Sequence, residues 1–412
     1  MPAGRAGLLR ASLTLLAGGA IAQALPLALG PWLTRLYPPT EFGHYTIFAA
    51  VAANIAVVAC ARYDFALPLV QEEAEARDLL ALCLRVLSGV TATCIVLAIA
   101  AAALGAPLYW LWLPAAVFSA GSAQALVSWS ARAHRYAALS ASRVVQHGGA
   151  AALQVAGGLL QGGTSGLVAG PVLANGIAVA CLGRPAPAGG WRGLRQVAAP
   201  ALRAVARRHR VFPLVNTPHA FAAALQDTLT VSLLVLISGD AAAGFWGLAL
   251  RYLKAPASLV GGAVSQALYP RLGSSSPAEA RAAVAQVMAT LAAIAAPLVL
   301  VLILAGPELF AVAFGEPWRE AGTLARALAP YIGMHFIASP LAVVTMAWGA
   351  QGWALRFSVA GQLLFLLALG LGVRAGGLVT GAWAVSAAMV LYFGCYFWML
   401  LTWKDVPDVR AA

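Results

Sequence analysis

Five charged residues lie inside long apolar stretches of this sequence, and their chemistry restricts its function more than any other feature. They are Arg62, Asp64, Asp227, Arg251 and Lys254. Ionisable side chains are costly inside a membrane and usually mark a substrate or ion pathway. Arginine suits phosphate because its planar guanidinium can donate two hydrogen bonds together. Three bases against two acids favour an anionic ligand over a cationic one.

The spacing of these residues suggests a shared location for some of them. Arg251 and Lys254 are three residues apart and share one face of a predicted helix. At about 1.5 Å per residue, Lys254 lies about 15 Å from the outer start of its helix, and Asp227 about 22 Å from the inner start of its own. These depths predict that Asp227 and Lys254 face one another or a shared cavity. A structural ion pair is the alternative.

Arg62 is predicted about 28 Å along its helix, towards the cytoplasm, with Asp64 two residues later. It is a candidate anion contact on the cytoplasmic side, and the alternative is a side chain that simply extends to the interface. Asp227 and Asp64 are candidate carriers of a coupling proton or sodium ion, or charge partners of the cations.

The composition requires lipid as a solvent for the chain. Its 412 residues are 61% hydrophobic and 10% charged, with a mean hydropathy of +0.83, whereas soluble domains carry about 25% charged residues. The net charge of +12 comes without zinc-ligand spacing or a basic groove with interleaved aromatic residues, so nucleic acid is not expected as a partner. No catalytic motif or CxxC pair occurs. We therefore expect neither enzymatic activity nor catalytic residues, a metal site, a cofactor or a disulfide framework.

The apolar stretches predict an all-α integral membrane protein with about twelve transmembrane helices. The predicted spans are 12–36, 43–69, 79–104, 109–130, 139–160, 166–182, 212–238, 244–269, 282–304, 323–348, 355–373 and 378–401.

The distribution of lysine and arginine predicts the orientation. Most of these residues fall at the ends on the side of the N-terminus, and the opposite ends hold only Arg35, Arg319, Arg326 and Arg374. The positive-inside rule then places both termini in the cytoplasm. The basic loop 184–211 is interpreted as an anchor near anionic lipid, with a specific partner as the alternative.

An internal repeat suggests duplication. Gly43 opens the second predicted span and Gly244 the eighth, and the GLVAG sequence at 166–170 recurs as GLVTG at 377–381. We predict an N-terminal six-helix lobe (1–183), the cytoplasmic inter-lobe loop (184–211) and a C-terminal six-helix lobe (212–412). Because six is even, the lobes form a parallel repeat with a pseudo-twofold axis around a central cavity, which suits alternating access.

Two segments carry a family resemblance. The sequence LTRLYPPTEFGHY at 33–45 is followed by ARYDFALPL at 61–69, and GDAAAGFW at 239–246 precedes Arg251 and Pro256. In this order they resemble Wzx-type oligosaccharide flippases, the polysaccharide biosynthesis export proteins of the multidrug/oligosaccharidyl-lipid/polysaccharide superfamily.

The resemblance implies a bacterial inner-membrane transporter. Its substrate would be an undecaprenyl-diphosphate-linked oligosaccharide, moved from the cytoplasmic to the outer leaflet for O-antigen, capsule or exopolysaccharide assembly. A polysaccharide polymerase and chain-length components are candidate partners. Arg62, Arg251 and Lys254 would then bind the substrate. Asn216, Gln226 and Gln146 are secondary polar candidates, although such residues often bridge helices.

Two other functions fit parts of the pattern. A cation-coupled multidrug efflux antiporter of the related extrusion family shares the architecture, but its site should be dominated by carboxylates. A membrane scaffold within a polysaccharide-assembly complex would not need charges inside its spans.

Overall fold

The computed structural model describes residues 5–184, 190–272 and 275–403, excepting the side chains of 5–13, 15, 16 and 219. The first four and last nine residues, which include both predicted cytoplasmic termini, lie outside this description. Across these ranges the chain forms fourteen α-helices and no strand. They are α1 (Arg5–Leu36), α2 (Pro39–Val58), α3 (Glu73–Ala103), α4 (Leu113–Arg132), α5 (Tyr136–Val144), α6 (Ala150–Leu159), α7 (Gly163–Leu182), α8 (Gly190–Gln196), α9 (Ala199–Arg208), α10 (Thr217–Ser238), α11 (Asp240–Leu272), α12 (Pro277–Phe314), α13 (Arg319–Ala347) and α14 (Gln351–Leu401).

These helices make up the twelve predicted spans. A π-helical turn, Val145–Gly149, joins α5 to α6 in one continuous rod, and another, Phe212–Asn216, leads into α10. Inside α14 the backbone breaks at Gly376 and Gly377, where Gly377 has φ 81°. This break separates the two spans predicted at 355–373 and 378–401. Eight helical segments of the described residues are long and apolar enough by themselves to cross a membrane. The all-α membrane fold with about twelve helices is confirmed.

The helix boundaries have local causes. Ser276 starts α12 with a capping box, in which its hydroxyl accepts from the Glu279 backbone N–H while the Glu279 carboxylate accepts from the Ser276 N–H. This exchange satisfies two donors that a helix start leaves free. Gly315 ends α12 at φ 100°, a conformation that glycine adopts without a steric penalty.

The second span was predicted wrongly at its C-terminal end. The prediction extended it to residue 69, but α2 ends at Val58 and a 3₁₀ helix, Tyr63–Leu69, follows a short turn. The reason is a left-handed backbone at Ala61 and Arg62, which an α-helix cannot contain. Arg62 and Asp64 therefore lie beyond α2 and not within it.

The chain forms two compact units. One contains the chain up to Tyr37 together with His44–Thr228, and the other contains Pro38–Gly43 together with the chain from Leu229 onwards. The first has a buried core built on α3 and α4, with Leu79, Leu80, Leu87 and Val117 fully enclosed. In the second, α11, α12 and α13 enclose Ala280, Val284 and Leu341. The lobe boundaries at 183 and 212 stay a prediction.

Candidate functional site

The turn after α2 is strained. Ala61 has φ 47° and Arg62 has φ 60°, so two consecutive residues with side chains occupy the left-handed region. Each such residue costs about 1–3 kcal/mol, and strain of this kind concentrates at functional sites. The turn therefore places Arg62 in an orientation that ordinary helix geometry would not provide.

The Arg62 side chain is held by an aromatic ring and not by an acid. Its guanidinium carbon lies 4.0 Å from the centroid of the Phe65 ring. The residue is half-buried, and its Nε is enclosed without a hydrogen-bond partner in the described part of the chain. An enclosed donor without an acceptor is costly. Arg62 therefore has one donor that the described residues leave unsatisfied.

Asp64 lies beside this cation but is buried. Only 2% of the residue is exposed. Gln124 of α4 hydrogen-bonds to the carboxyl group, while Oδ2 has no partner among the described residues. Burial raises the pKa of Asp64 above its ordinary value, and the attraction of Arg62 opposes the rise. Asp64 is therefore a candidate to gain and lose a proton.

Neighbouring elements fix the position of this turn. The Cys60 thiol lies 3.8 Å from the Gly121 carbonyl oxygen of α4. On the other side, the Tyr63 hydroxyl donates to the Ala206 carbonyl oxygen of α9 at 3.4 Å. Leu67 and Ala66 are completely buried in the core that α3 and α4 form. The turn is held between a membrane helix and the short helix α9 of the basic loop.

The second set of predicted cations lies on α11. Arg251 and Lys254 are both half-buried and, being three residues apart, lie on one face. The opposite face carries Tyr252, Leu253 and Pro256, which line a cavity of about 230 Å³ with apolar residues of α12 and α13. One helix therefore presents a cationic face and an apolar cavity on opposite sides.

Lys254 has a charge-sensitive neighbour, His335, on α13. Its ammonium group is close enough to the ring of His335 on α13 to act on it electrostatically. His335 also contacts the rings of Tyr331 and Phe393, at centroid distances of 6.0 and 6.1 Å. The cationic face of α11 is thus next to an aromatic cluster formed by α13 and α14.

The remaining predicted site residues have differing environments. Asp227 and Asn216 are exposed, and Gln226 is half-buried. Gln146 lies in the π-helical turn between α5 and α6, and its Nε2 is buried without a partner in the described residues. Asp227 and Lys254 belong to different compact units, and their pairing stays a prediction.

Sequence reasoning missed two features of the site. One is Phe65, which is three residues after Arg62 and reaches its guanidinium only because a 3₁₀ helix follows Arg62. The other is the π-helical turn at Val145–Gly149. Such turns have no reliable sequence signature but often occur at functional sites. Among the described residues, no group of three histidine, cysteine or acidic side chains could hold a metal ion.

This arrangement defines an all-α, multi-pass membrane protein. The sequence profile of the polysaccharide biosynthesis protein family matches residues 32–323. The chain belongs to this family. No curated protein matches the sequence significantly.

Solved structures share the fold at low sequence identity. An inward-facing multidrug resistance transporter of the MATE family in the MOP superfamily superposes with a TM-score of 0.67 at 13% identity, over 92% of this chain and 93% of its own. The lipid II flippase MurJ, in an inward closed conformation, gives 0.67 at 11% identity, over 94% and 87%. A point mutant of the Vibrio cholerae MATE transporter VcmN gives 0.54 at 16%, over 96% and 95%. Such identities establish the fold and not the substrate.

Proposed function

We propose that this protein is an alternating-access flippase. It moves undecaprenyl-diphosphate-linked oligosaccharide units from the cytoplasmic to the outer leaflet, for O-antigen, capsule or exopolysaccharide assembly. The observation that carries the proposal is the half-buried guanidinium of Arg62, whose enclosed Nε has no partner in the described structure. A diphosphate would supply the acceptors that this group lacks.

The two faces of α11 suit an amphipathic substrate. A lipid-linked oligosaccharide carries an anionic diphosphate and a long apolar chain, which must remain in different surroundings during transfer. Arg251 and Lys254 offer cations to the diphosphate, and the cavity on the opposite face accepts apolar groups.

Asp64 and Asp227 are the proposed coupling groups. Burial of Asp64 next to Arg62 makes its protonation sensitive to whether an anion occupies the cation. A proton or sodium ion bound at either acid would then exchange against the substrate. Asn216, Gln226 and Gln146 complete the proposed site as hydrogen-bonding groups for sugar hydroxyls.

The proposal places the protein in a bacterial inner membrane with both termini in the cytoplasm. There it would deliver its product to a polysaccharide polymerase and chain-length components. Membership of the polysaccharide biosynthesis protein family supports this setting.

A cation-coupled multidrug efflux antiporter is the second candidate, because a MATE-family transporter has the same fold. Its cationic substrates need acidic contacts. Arg62, Arg251 and Lys254 are all cationic, and this favours the flippase.

Complementation separates the two functions. The gene should restore polymer at the surface of a bacterium that lacks its own flippase but makes a matching lipid-linked unit. It should not raise resistance to cationic drugs in a strain without efflux pumps. Drug resistance without polymer export would support the antiporter. Both assays are compared in cells that hold equal amounts of the protein in the membrane.

A further inference from the structure

The two short helices of the basic loop, α8 and α9, pack against the flank of α3. Leu202 and Val205 of α9 are buried in the core that contains Leu79 and Leu80 of α3. The Arg85 guanidinium donates to the carbonyl oxygens of Val197, at 2.6 Å, and Arg195, at 3.1 Å. Residues 190–210 are therefore a built part of this unit, and we name them the α8–α9 surface.

The length of α3 fixes the depth of this surface. Its 31 residues extend about 46 Å, far more than the roughly 30 Å of hydrocarbon. Residues 86–103 carry no charge and cover about 27 Å, which accounts for the hydrocarbon crossing. The preceding segment, Glu73 to Arg85, then extends out of the hydrocarbon, with Arg85 at the level of the lipid headgroups. Because Arg85 contacts the backbone of Arg195 and Val197, the α8–α9 surface begins at that level.

The α8–α9 surface is strongly cationic on its outward side. Its exposed arginines are Arg192, Arg195, Arg203, Arg207, Arg208 and Arg210. In the described part of the chain only Arg208 of these has an acidic partner, Glu75, at 3.2 Å. Arg203 and Arg207 are four residues apart and share one face of α9. Trp191, 40% exposed, adds the side chain that membrane interfaces favour.

Nearby acids do not neutralise this surface. Glu75 is engaged by Arg208 and by the His209 ring, whose Nε2 lies 3.0 Å from Glu75 Oε1. The other partnered acids at the start of α3 are Glu73, paired with Arg132, and Asp78, paired with Arg77. Glu72 is exposed. The outward arginines therefore keep an excess of positive charge.

We infer that the α8–α9 surface binds the phosphate headgroups of anionic phospholipids in the cytoplasmic leaflet. The apolar side of α9 is already packed on α3, so α9 does not insert its own apolar face into lipid. The contact is made mainly by guanidinium groups at headgroup depth, where each exposed arginine attracts anionic lipid. The surface contains neither Arg62 nor the cations of α11, and the inference does not depend on the proposed transport.

The test uses the full-length protein in detergent with short-chain phosphatidylglycerol or phosphatidylcholine. Binding is followed by the rise in thermal unfolding temperature and by native mass spectrometry. We expect phosphatidylglycerol to bind, phosphatidylcholine to bind far less, and salt to weaken the difference. The variant R203Q/R207Q should lose affinity for phosphatidylglycerol about 25-fold, at about five-fold per arginine. R203K/R207K, which keeps the charge, should lose much less.

The matched control is R143Q/R356Q, which removes two exposed arginines predicted on the same membrane side but outside the surface. It should bind phosphatidylglycerol as the wild type does. Equal binding of the two lipids, or unchanged binding by R203Q/R207Q, would overturn the inference. Binding of farnesyl diphosphate but not phosphatidylglycerol would also overturn it, because the partner would then be the transported lipid. Binding of polyglutamate but not phosphatidylglycerol would indicate an acidic protein instead.

Discussion

The guanidinium of Arg62 stacks on the ring of Phe65, three residues later, at 4.0 Å from the ring centroid. This contact exists because the backbone turns left-handed at Arg62 and continues directly into a 3₁₀ helix. A cation held against an aromatic face keeps its N–H groups available, whereas a cation held by a carboxylate does not. The relationship explains how Arg62 can be both fixed in position and ready for an anion.

Because the backbone at Arg62 is strained, one substitution can separate the effect of its charge on export from its effect on the stability of the protein. Arg62→Gly removes the cation and places at φ 60° the residue that tolerates it best. We expect the variant to be more stable by about 1 kcal/mol and yet to lose polymer export. Unfolding in detergent and surface polymer in cells measure the two effects. A variant that is both destabilised and inactive would give Arg62 a structural role instead.

Ala61→Gly is the matched control for this experiment. It relieves the same kind of strain at φ 47° without changing the charge. It should gain stability and retain export. If it lost export as Arg62→Gly does, the rigidity of the turn would matter and not the cation.

Lys254 and Arg251 should act in transport through their charge. Lys254→Met and Arg251→Met, which keep most of the side-chain length, should each lower export at least ten-fold while the protein still inserts. Lys254→Arg should retain more activity because the cation is kept. Leu259→Ala, at an exposed position of α11 that does not line the cavity, is the control and should export normally. Normal export by both methionine variants would remove these residues from the site.

The stability of the protein should depend on pH through Asp64. Burial raises its pKa in the folded state, so the folded state binds this proton more tightly than the unfolded chain does. Ionised Asp64 therefore lowers stability above its folded pKa, and stability is regained as the pH falls through that pKa towards the ordinary value of about 4. Asp64→Asn should raise the unfolding temperature at neutral pH, with the gain shrinking towards about pH 4. Lower stability at neutral pH would mean that attraction to Arg62 outweighs burial.

Asp227 is tested by the pH profile of transport. If a proton binds there during the cycle, Asp227→Asn should flatten the dependence of export rate on pH. Ser232→Ala, on the same helix, should leave the profile unchanged. A wild-type profile in Asp227→Asn would place proton coupling elsewhere.

Two glycines of the internal repeat should be sensitive to size. A Cβ at Gly43 would overlap the backbone carbonyl of Asp240, and one at Gly244 would overlap the carbonyl of Pro39. Because backbone cannot move aside, Gly43→Ala should cost about 1–3 kcal/mol. Gly89→Ala is the control, since its Cβ would meet nothing within 4 Å. Equal stability of the two variants would contradict the close contact.

The helical framework could be predicted because long apolar stretches in lipid have few structural choices. The break in α14 is an example, since Gly376 and Gly377 follow Arg374 between two apolar stretches. The repeat identified Gly43 and Gly244 as related positions, but not the carbonyl groups that they touch. Such contacts join residues about two hundred positions apart, and no local pattern encodes them.

The sequence could nominate candidate site residues by their type but could not predict their geometry. Charge inside apolar stretches singled out Arg62, Asp64, Arg251 and Lys254. The end of α2 was missed because neither Ala61 nor Arg62 is glycine, so no local sequence signal indicated a left-handed turn. Tertiary contacts, such as Tyr63 with Ala206, hold that turn and override its local preference.

Translocation of a defined substrate in proteoliposomes tests the central claim most directly. A fluorescent polyprenyl-diphosphate oligosaccharide placed in one leaflet should reach the other at a rate that Arg62→Gly reduces at least ten-fold and Ala61→Gly does not. A polyprenyl oligosaccharide without phosphate should not be moved. Equal movement of the charged and uncharged lipids, or full activity of Arg62→Gly, would contradict the account, because no cation would then be receiving a diphosphate.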